Sequence, residues 1–380
     1  MMGGQPGSPF VNPKKILVIG AGKIGQVVAD LLTGSPDYAV TLADRDAAAL
    51  DALATSAAPG TRVERLVLDI ANDAALDEAL DGCFAVLSAA PFHLTQRIAQ
   101  AACGLGVHYL DLTEDVASTR AIRALAEGAR SALIPQCGLA PGFISIVAAD
   151  LASRFDRLDT VRLRVGALPA YPSNALNYNL TWSTEGVINE YIEPCEAIVD
   201  GRRTEVPALE EREEFALDGV LYEAFNTSGG LGTLCETLEG KVRTLNYRTI
   251  RYPGHAAIMK ALLHDLRLRD RRDVLKDILE NAVPTTTQDV VIIFVTVAGW
   301  REGHLVQETY ARKIYSAVVG GQIRSAIQIT TASSLAAMLD MLAAGQLPQR
   351  GFVRQEDVKL ADFLGNRFGA VYAPAAPGSH

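Results

Sequence analysis

The segment Lys14 to Leu32, KKILVIGAGKIGQVVADLL, constrains the fold of this chain more than any other stretch. A short apolar run, Ile16 to Ile19, has the character of a strand buried on both faces. It enters Gly20, Ala21, Gly22, Lys23, Ile24 and Gly25 before apolar residues resume at helical spacing. The pattern predicts strand, tight turn and helix in direct succession. Gly20 permits the turn, Gly22 keeps a side chain away from a pyrophosphate, and Gly25 lets helix and strand pack closely. The helix N-terminus, with Lys23 and Ile24 in the turn beside it, then offers unpaired N–H groups and a positive dipole end to the phosphates.

A glycine turn alone is a weak signal; it gains force from an acidic residue about twenty positions later, at the end of a second strand. Tyr38 to Ala43 reads as that strand and Asp44 closes it, placed to accept hydrogen bonds from the adenosine ribose. A carboxylate there repels a 2′-phosphate, so NAD is expected over NADP, although the guanidinium of Arg45 argues the other way. Asp69, ending a third strand over Thr61 to Leu68, can reach the adenine amino group, N-cap a helix over Ala74 to Leu80, or do both. After a fourth strand, Phe84 to Ala89, the residues Ala90 and Pro91 should form the loop over the nicotinamide side of the pyrophosphate.

Strands and helices continue to alternate to about residue 140: helices at Arg45 to Ser56, Gln96 to Leu105 and Arg120 to Arg130, strands at Val107 to Leu112 and Ala132 to Gln136. That rhythm predicts a doubly wound parallel sheet. A helix over Ala148 to Phe155 follows, and then Thr160 to Ala167 alternates apolar and polar residues as a half-exposed antiparallel strand does. Later segments, Leu245 to Arg251, Val290 to Val297 and Gln307 to Val318, with helices at Ala256 to Leu263 and Arg272 to Asn281, predict a second domain with a mixed sheet. An alanine and leucine helix, Ser325 to Ala344, is long enough to pack back on the first domain. The expected architecture is therefore α/β: a doubly wound parallel (Rossmann) sheet from 14–142 and 325–372, with an inserted α+β substrate and dimerisation domain of mixed sheet at 143–324. A disordered lead at 1–13 and a loose tail at 373–380 complete it.

With 380 residues, 49% hydrophobic and 21% charged, the chain can bury the cores of two domains. A formal net charge of −9 argues against nucleic acid or an anionic membrane as partner and leaves small molecules. Cys83, Cys103, Cys137, Cys195 and Cys235 are odd in number and lack C-x-x-C spacing, so they read as buried thiols of a reducing compartment, with no metal site. No run approaches the length of a membrane span and no signal peptide is evident, so a cytoplasmic location is expected.

The glycine turn, Asp44, the AAPF loop, CGLAPGF, and the segments LNYNLTWSTEG, EAFNTSGG and YRTIRYPGH together resemble the saccharopine dehydrogenase superfamily over nearly the whole chain. Around NTSGG and TIRYPGH the chain is most similar to the L-lysine 6-dehydrogenase branch of that group. The resemblance implies an oxidoreductase acting at a carbon–nitrogen bond, an amino-acid substrate, and a homodimer or larger homo-oligomer. At the tip after the fifth strand the chain carries Thr113, Glu114 and Asp115 where some relatives carry glycine and histidine.

Hydride can leave the carbon beside an amine only when the nitrogen lone pair is free, and the lysine ε-amine has a pKa near ~10.4. A base, a desolvating pocket, or both are needed. His255, with an unperturbed pKa near ~6.5, is the first candidate acid or base; its plainer role is to cap the next helix or bond a backbone carbonyl. Glu114 is the second, against the alternative of a solvated or capping carboxylate. Arg251 suits a substrate carboxylate, or a surface ion pair. Thr227, Ser228 and Gly229 form an anion-binding nest or a plain turn. Glu185 could hold an α-ammonium or lie exposed on its helix. Tyr178, four residues before Trp182 on an expected helical turn, is a lining candidate that defaults to core packing. The run Glu210 to Glu214 reads as solvated surface. A saccharopine reductase type of enzyme is the alternative; its substrate carries two further carboxylates, for which Arg243, Arg248 and Arg312 are available. A dinucleotide-binding protein without catalysis is the third reading, disfavoured by the polar NTSGG and RYPGH segments.

Overall fold

The computed structural model describes residues 12–54 and 63–373. The expected lead and tail lie outside these residues, except for 12, 13 and 373, as do the end of the helix expected to reach Ser56 and the start of the strand expected from Thr61. The first part of the chain alternates: β1 (Lys14–Ile19), α1 (Lys23–Thr33), β2 (Tyr38–Asp44), α2 (Ala47–Ala54), β3 (Glu64–Val67), α3 (Asp73–Leu80), β4 (Ala85–Ser88), α4 (Phe92–Leu105), β5 (His108–Asp111), α5 (Val116–Leu125), β6 (Ala132–Ile134) and α6 (Phe143–Ala152). Next come β7 (Arg157–Pro169), α7 (Thr184–Ile192), β8 (Cys195–Val199), β9 (Arg202–Val206), β10 (Glu213–Leu217), β11 (Val220–Asn226), α8 (Leu234–Leu238), β12 (Thr244–Arg251), α9 (His255–Lys260) and α10 (Arg272–Ala282). The chain closes with β13 (Asp289–Arg301), β14 (His304–Tyr315), β15 (Ala317–Val319), β16 (Gln322–Arg324), α11 (Ala326–Ala343), β17 (Gly351–Phe352) and α12 (Leu360–Gly365).

Seven parallel strands form the first sheet in the order β17-β6-β5-β4-β1-β2-β3. The strand order reverses between β1 and β4, which opens a crevice at the carboxyl ends of these two strands, where such sheets bind ligands. The short β17 brings the C-terminal part of the chain back to this sheet. The second sheet is mixed, in the order β10-β11-β12-β7-β13-β14, with the β8–β9 hairpin attached to β12. One apolar cluster runs from β1 and α1 through α6 and α11 into β7, β12 and β13, so the two sheets share a core.

Several expectations change. The strand expected to be half exposed, β7, is buried from Leu163 to Pro169, because it pairs in parallel with β12 on one side and antiparallel with β13 on the other. Arg164, which gives the strand its alternating look, is itself buried. Its Nε donates to Glu213 at 2.6 Å and its guanidinium lies 5.2 Å from the Phe294 ring. Glu213 therefore belongs to a buried-edge ion pair and not to a solvated run. Tyr178 and Trp182 sit in the irregular segment before α7, not on a helical turn. Asn72, not Asp69, caps α3, by accepting from Ala75 N–H; Asp69 accepts from Ala71 N–H in a local turn. Cys83 and Cys103 are only partly buried, and all five cysteines are free.

Helix α11 is long and apolar enough to cross a membrane by length and composition, contrary to the expectation that no run approaches that length. It is a core helix: Leu335, Ala336, Met338 and Leu339 are buried on all sides, and a Ser325–Gln328 capping box starts it. The Asp289 carboxylate of β13 accepts from the N–H groups of Ala326 and Ile327, fixing the helix to the second sheet.

Candidate functional site

The carboxyl ends of β1 and β4 and the loops after β5 and β6 form one wall of a cleft of about 670 Å3. The opposite wall comes from β7, β12 and the segment before α7, and α11 closes one side. On the first wall, Gly22, Lys23 and Ile24 line the cleft. A methyl group on Gly25 would lie 1.8 Å from the Gly20 carbonyl oxygen, so this glycine is needed for the close packing of turn and helix. A methyl group on Gly22 would meet nothing within 4 Å, so here the space is left toward the cleft. α1 has no side-chain N-cap, which leaves first-turn N–H groups for an anion. These features fit the pyrophosphate of a dinucleotide.

Asp44 accepts from Ala21 N–H at 2.7 Å and from Asp46 N–H at 2.9 Å, so it also braces the turn. Arg45 and Asp69 are exposed, Ala90 is partly buried, and Pro91 precedes the first residue of α4. The latter helix begins four residues before the expected start.

The second wall follows from strand alternation. Side chains of β12 point alternately to opposite faces, so Tyr247, Thr249 and Arg251 line the cleft while Arg248 points away, into ion pairs with Glu211 and Glu213. Val165 and Ala167 of the neighbouring β7 add apolar floor. Arg251 is 2% exposed. Its Nε donates to the Tyr191 hydroxyl at 2.8 Å, one terminal nitrogen donates to the Ile250 carbonyl at 2.9 Å, and its guanidinium lies 4.9 Å from the Tyr178 ring centroid. No carboxylate pairs with it among the described residues.

His255 does not line this cleft. It is buried at the start of α9, where Nδ1 lies 2.9 Å from the Leu176 carbonyl and Nε2 lies 3.0 Å from the Tyr191 hydroxyl. A carbonyl can only accept, so Nδ1 carries the hydrogen and Nε2 accepts from Tyr191, whose oxygen accepts from Arg251. Burial, reinforced by the Arg251 charge, pushes the imidazole down to about 3, so it is neutral at ordinary pH. The histidine expected as acid or base thus stands behind Tyr191 and helps orient Arg251. Nor does it cap α9: Glu223 does, accepting from Gly254 N–H and Ala256 N–H.

Glu114, in the loop after β5, does line the cleft. Glu185 lies exposed on α7, the second of its two readings, and the acid of that helix that faces the cleft is Glu190, 8% exposed. Burial raises both carboxyls, Glu114 to about 7 and Glu190 to about 8. Asp115 adds to the effect on Glu114 and Glu114 to that on Glu190, while Arg251 opposes it at Glu190. Glu190 was missed in the sequence; its signal was a carboxylate on the apolar face of a helix, four residues after Gly186 and three after Val187.

The proposed nest is largely spent on internal bonds. Thr227 donates to Thr249 at 3.0 Å, and Ser228 N–H donates to the Glu190 carbonyl at 3.1 Å. The glycines here serve packing. A methyl group on Gly229 would lie 3.2 Å from the Glu114 Cβ, and one on Gly230 would strike the Tyr247 ring at 2.3 Å. Thr227, Ser228 and Gly229 line a second cavity, which shares Glu114 and Tyr247 with the cleft. Tyr178 is a core residue whose ring supports Arg251.

A Rossmann sheet facing a mixed-sheet domain across a cleft, with a glycine turn on one wall and buried charges on the other, defines a dinucleotide-binding oxidoreductase. Residues 16–134 match the family described as saccharopine dehydrogenase NADP binding domain, and residues 138–366 match saccharopine dehydrogenase C-terminal domain. The chain belongs to the saccharopine dehydrogenase family. It is 24% identical over 312 residues to "Saccharopine dehydrogenase [NADP(+), L-glutamate-forming]" of Saccharomyces cerevisiae, covering 76% of this chain and 68% of that protein. To the protein of the same name from Pyricularia oryzae it is 23% identical over 290 residues, covering 73% and 63%. The solved apo structure of histidine-tagged saccharopine dehydrogenase (L-Glu forming) from Saccharomyces cerevisiae superposes with a TM-score of 0.76 at 19% identity, over 93% of this chain and 97% of that one. At that identity the likeness is one of fold.

Proposed function

We propose that the protein oxidises the terminal amine of an amino acid with one carboxylate, of the L-lysine type, giving the 6-semialdehyde and ammonia. The observation that carries this reading is the charge inventory of the cleft. Among the described residues Arg251 is buried without an acidic partner, and the other cation lining the cleft is Lys23 in the glycine turn. Saccharopine brings two more carboxylates than lysine, and the arginines considered for them are elsewhere. Arg243 pairs with Asp159, Arg248 pairs with Glu211 and Glu213, and Arg312 is on β14 outside the cleft lining. Two acids that line the cleft, the half-buried Glu114 and the buried Glu190, instead suit a substrate with a positive end.

In this reading the terminal nitrogens of Arg251 hold the substrate carboxylate. Val165, Ala167, Leu180 and Trp182 exclude water along the aliphatic stem, and Glu114 takes a proton from the amine. A nicotinamide dinucleotide, held by the N-terminus of α1 and by Asp44, supplies the hydride acceptor when bound. The carboxylate of Asp44 supports NAD, whereas the curated relatives are named for NADP(+). A homo-oligomer is part of the same proposal, supported by exposed Leu305 and Tyr315 on the sheet-edge strand β14, and sedimentation analysis checks it.

The test is the absorbance of reduced nicotinamide with NAD or NADP against L-lysine, L-ornithine, saccharopine and no amine. Reduction with L-lysine and release of ammonia is expected. Reduction with saccharopine alone would replace this reading with the saccharopine reductase type, and cofactor binding with no reduction by any amine would favour a non-catalytic binding protein.

A further inference from the structure

Buried carboxylates elsewhere in the chain have partners. Glu223 accepts from two backbone N–H groups and Arg212, and Asp289 accepts from two N–H groups at the start of α11. Glu114 and Glu190 differ. Both line the same cleft, and neither carboxylate has a hydrogen bond or ion pair with any described residue. Arg251, 2% exposed and lining the same cleft, forms no ion pair with an acid among the described residues. Leaving the two carboxylates without a donor and Arg251 without a counter-ion is costly unless something fills the space between them, because a desolvated charge without an opposite charge is strongly disfavoured. A ligand with a carboxylate at one end and an ammonium at the other satisfies all three.

We propose that Glu114 and Glu190 form a proton-sharing carboxylate pair that receives the substrate's terminal ammonium and removes its proton before hydride transfer, which makes Glu190 a second catalytic residue. This rests on the amine-oxidising reading above. Two carboxylates facing one cleft do not both ionise readily, so the free site holds one proton between them. The groups that face the pair are Asp115 beside Glu114, Arg251, Tyr178, Tyr191 and Tyr247 around Glu190, and Cys195 behind it; Lys23 and Glu280 line the cleft.

Entry of the ammonium displaces the shared proton to solvent. One carboxylate then accepts a proton from the ammonium nitrogen, whose freed lone pair forms the C=N bond as the carbon's hydrogen leaves with its electron pair to an oxidised nicotinamide dinucleotide. Water adds to the iminium carbon, a carboxylate takes the water proton and returns it to the nitrogen, and the C–N bond breaks as the remaining hydroxyl proton passes to the departing nitrogen, giving aldehyde and ammonium ion. In sum, one amine as its ammonium, one water and one oxidised dinucleotide yield aldehyde, ammonium ion, reduced dinucleotide and one proton.

The experiment compares the full-length protein with Glu190→Gln and Glu190→Asp. It measures kcat/KM against pH, and the protons released on binding L-lysine or L-norleucine, by calorimetry in buffers of different ionisation enthalpy. L-Norleucine lacks the terminal ammonium. Glu190→Gln should lower kcat/KM for L-lysine by about 100-fold or more, the scale of a lost proton-transfer group. It should also cut the release of about one proton on lysine binding toward zero. L-Norleucine should release none from either protein and bind both alike, and Glu190→Asp should recover part of the rate. Unchanged dinucleotide affinity in Glu190→Gln shows that the fold is intact. Wild-type kcat/KM and proton release in Glu190→Gln would overturn the pair while leaving the lysine reading in place. If L-lysine neither binds nor reduces the dinucleotide but another amine does, the substrate reading falls, and wild-type behaviour of Glu190→Gln with that amine overturns the pair separately.

Discussion

Replacing Tyr191 with phenylalanine removes one hydroxyl and nothing else, and that hydroxyl sits between two buried groups. Arg251 Nε donates to it at 2.8 Å, and it donates to His255 Nε2 at 3.0 Å. Both groups are nearly closed to water: Arg251 is 2% and His255 1% exposed. Leaving a buried donor or acceptor unpaired costs about 1–3 kcal/mol for each group, so the folded state should lose roughly 2–6 kcal/mol in denaturant unfolding. The functional effect is separable. A hydrogen bond to a charged group contributes about 1.5–3 kcal/mol, and each ~1.4 kcal/mol is tenfold, so poorer orientation of Arg251 should raise KM for L-lysine by roughly 10- to 100-fold. Cadaverine, which is lysine without its carboxylate, has nothing for Arg251 to hold, so its KM should hardly change. Steady-state kinetics with both amines, on a variant whose dinucleotide affinity is shown to be normal, decides the matter. An equal loss with lysine and cadaverine would refute the reasoning, since it would mean that Tyr191 does not act through the carboxylate site.

The glycine turn makes a second prediction: Gly22→Ala should fold with wild-type stability, because its methyl group meets no protein atom within 4 Å, yet bind dinucleotide at least about tenfold more weakly because the methyl group occupies the phosphate approach. Fluorescence titration with the reduced cofactor reads both the loss and, by its amplitude, the folded fraction. A third concerns pH. Glu114 and Glu190 hold protons more tightly in the folded chain than in the unfolded one, so their contribution to stability is complete below the ordinary glutamate range near 4.5 and is lost as pH rises toward about 8. Chemical denaturation across that range should therefore show a decline that is shallower in Glu190→Gln; an identical slope in both proteins would count against the raised pair. Turnover of lysine should move in the opposite direction and rise with pH, because both the pair and the amine must lose protons, and a flat pH–rate profile would exclude that requirement.

The cofactor wall was legible in the sequence because it is built locally. The turn Gly20 to Gly25 and the strand ending in Asp44 are contiguous segments, and the steric reasons for their glycines act within a few residues. The parallel sheet was legible for a related reason: strands buried on both faces are apolar throughout and helices between them are not, so the period of the pattern announces each element. The same logic failed at β7, where Arg164 mimics a solvent-facing position while an ion pair with Glu213 and the ring of Phe294 bury it. Those partners come from β10 and β13, far along the chain.

The substrate wall depended still more on distant partners. Residue type alone singled out Arg251, Glu114 and His255 as chemically able, but which of them reaches the cleft is set by strand phase and by what lies behind. Alternation along β12 turns Arg251 inward, and the start of α9 places His255 behind Tyr191, where burial removes its charge. Glu185 and Glu190 are the same residue type on one helix, and the way α7 packs against α9, α10 and Phe225 of β11 exposes one and buries the other. What the sequence determined by itself was therefore the set of groups and the frame of the nucleotide fold, because propensity and turn sterics act over short range. The tertiary structure decided which charges lose water and which lack partners, because desolvation depends on everything packed around a group and not on its neighbours in the chain.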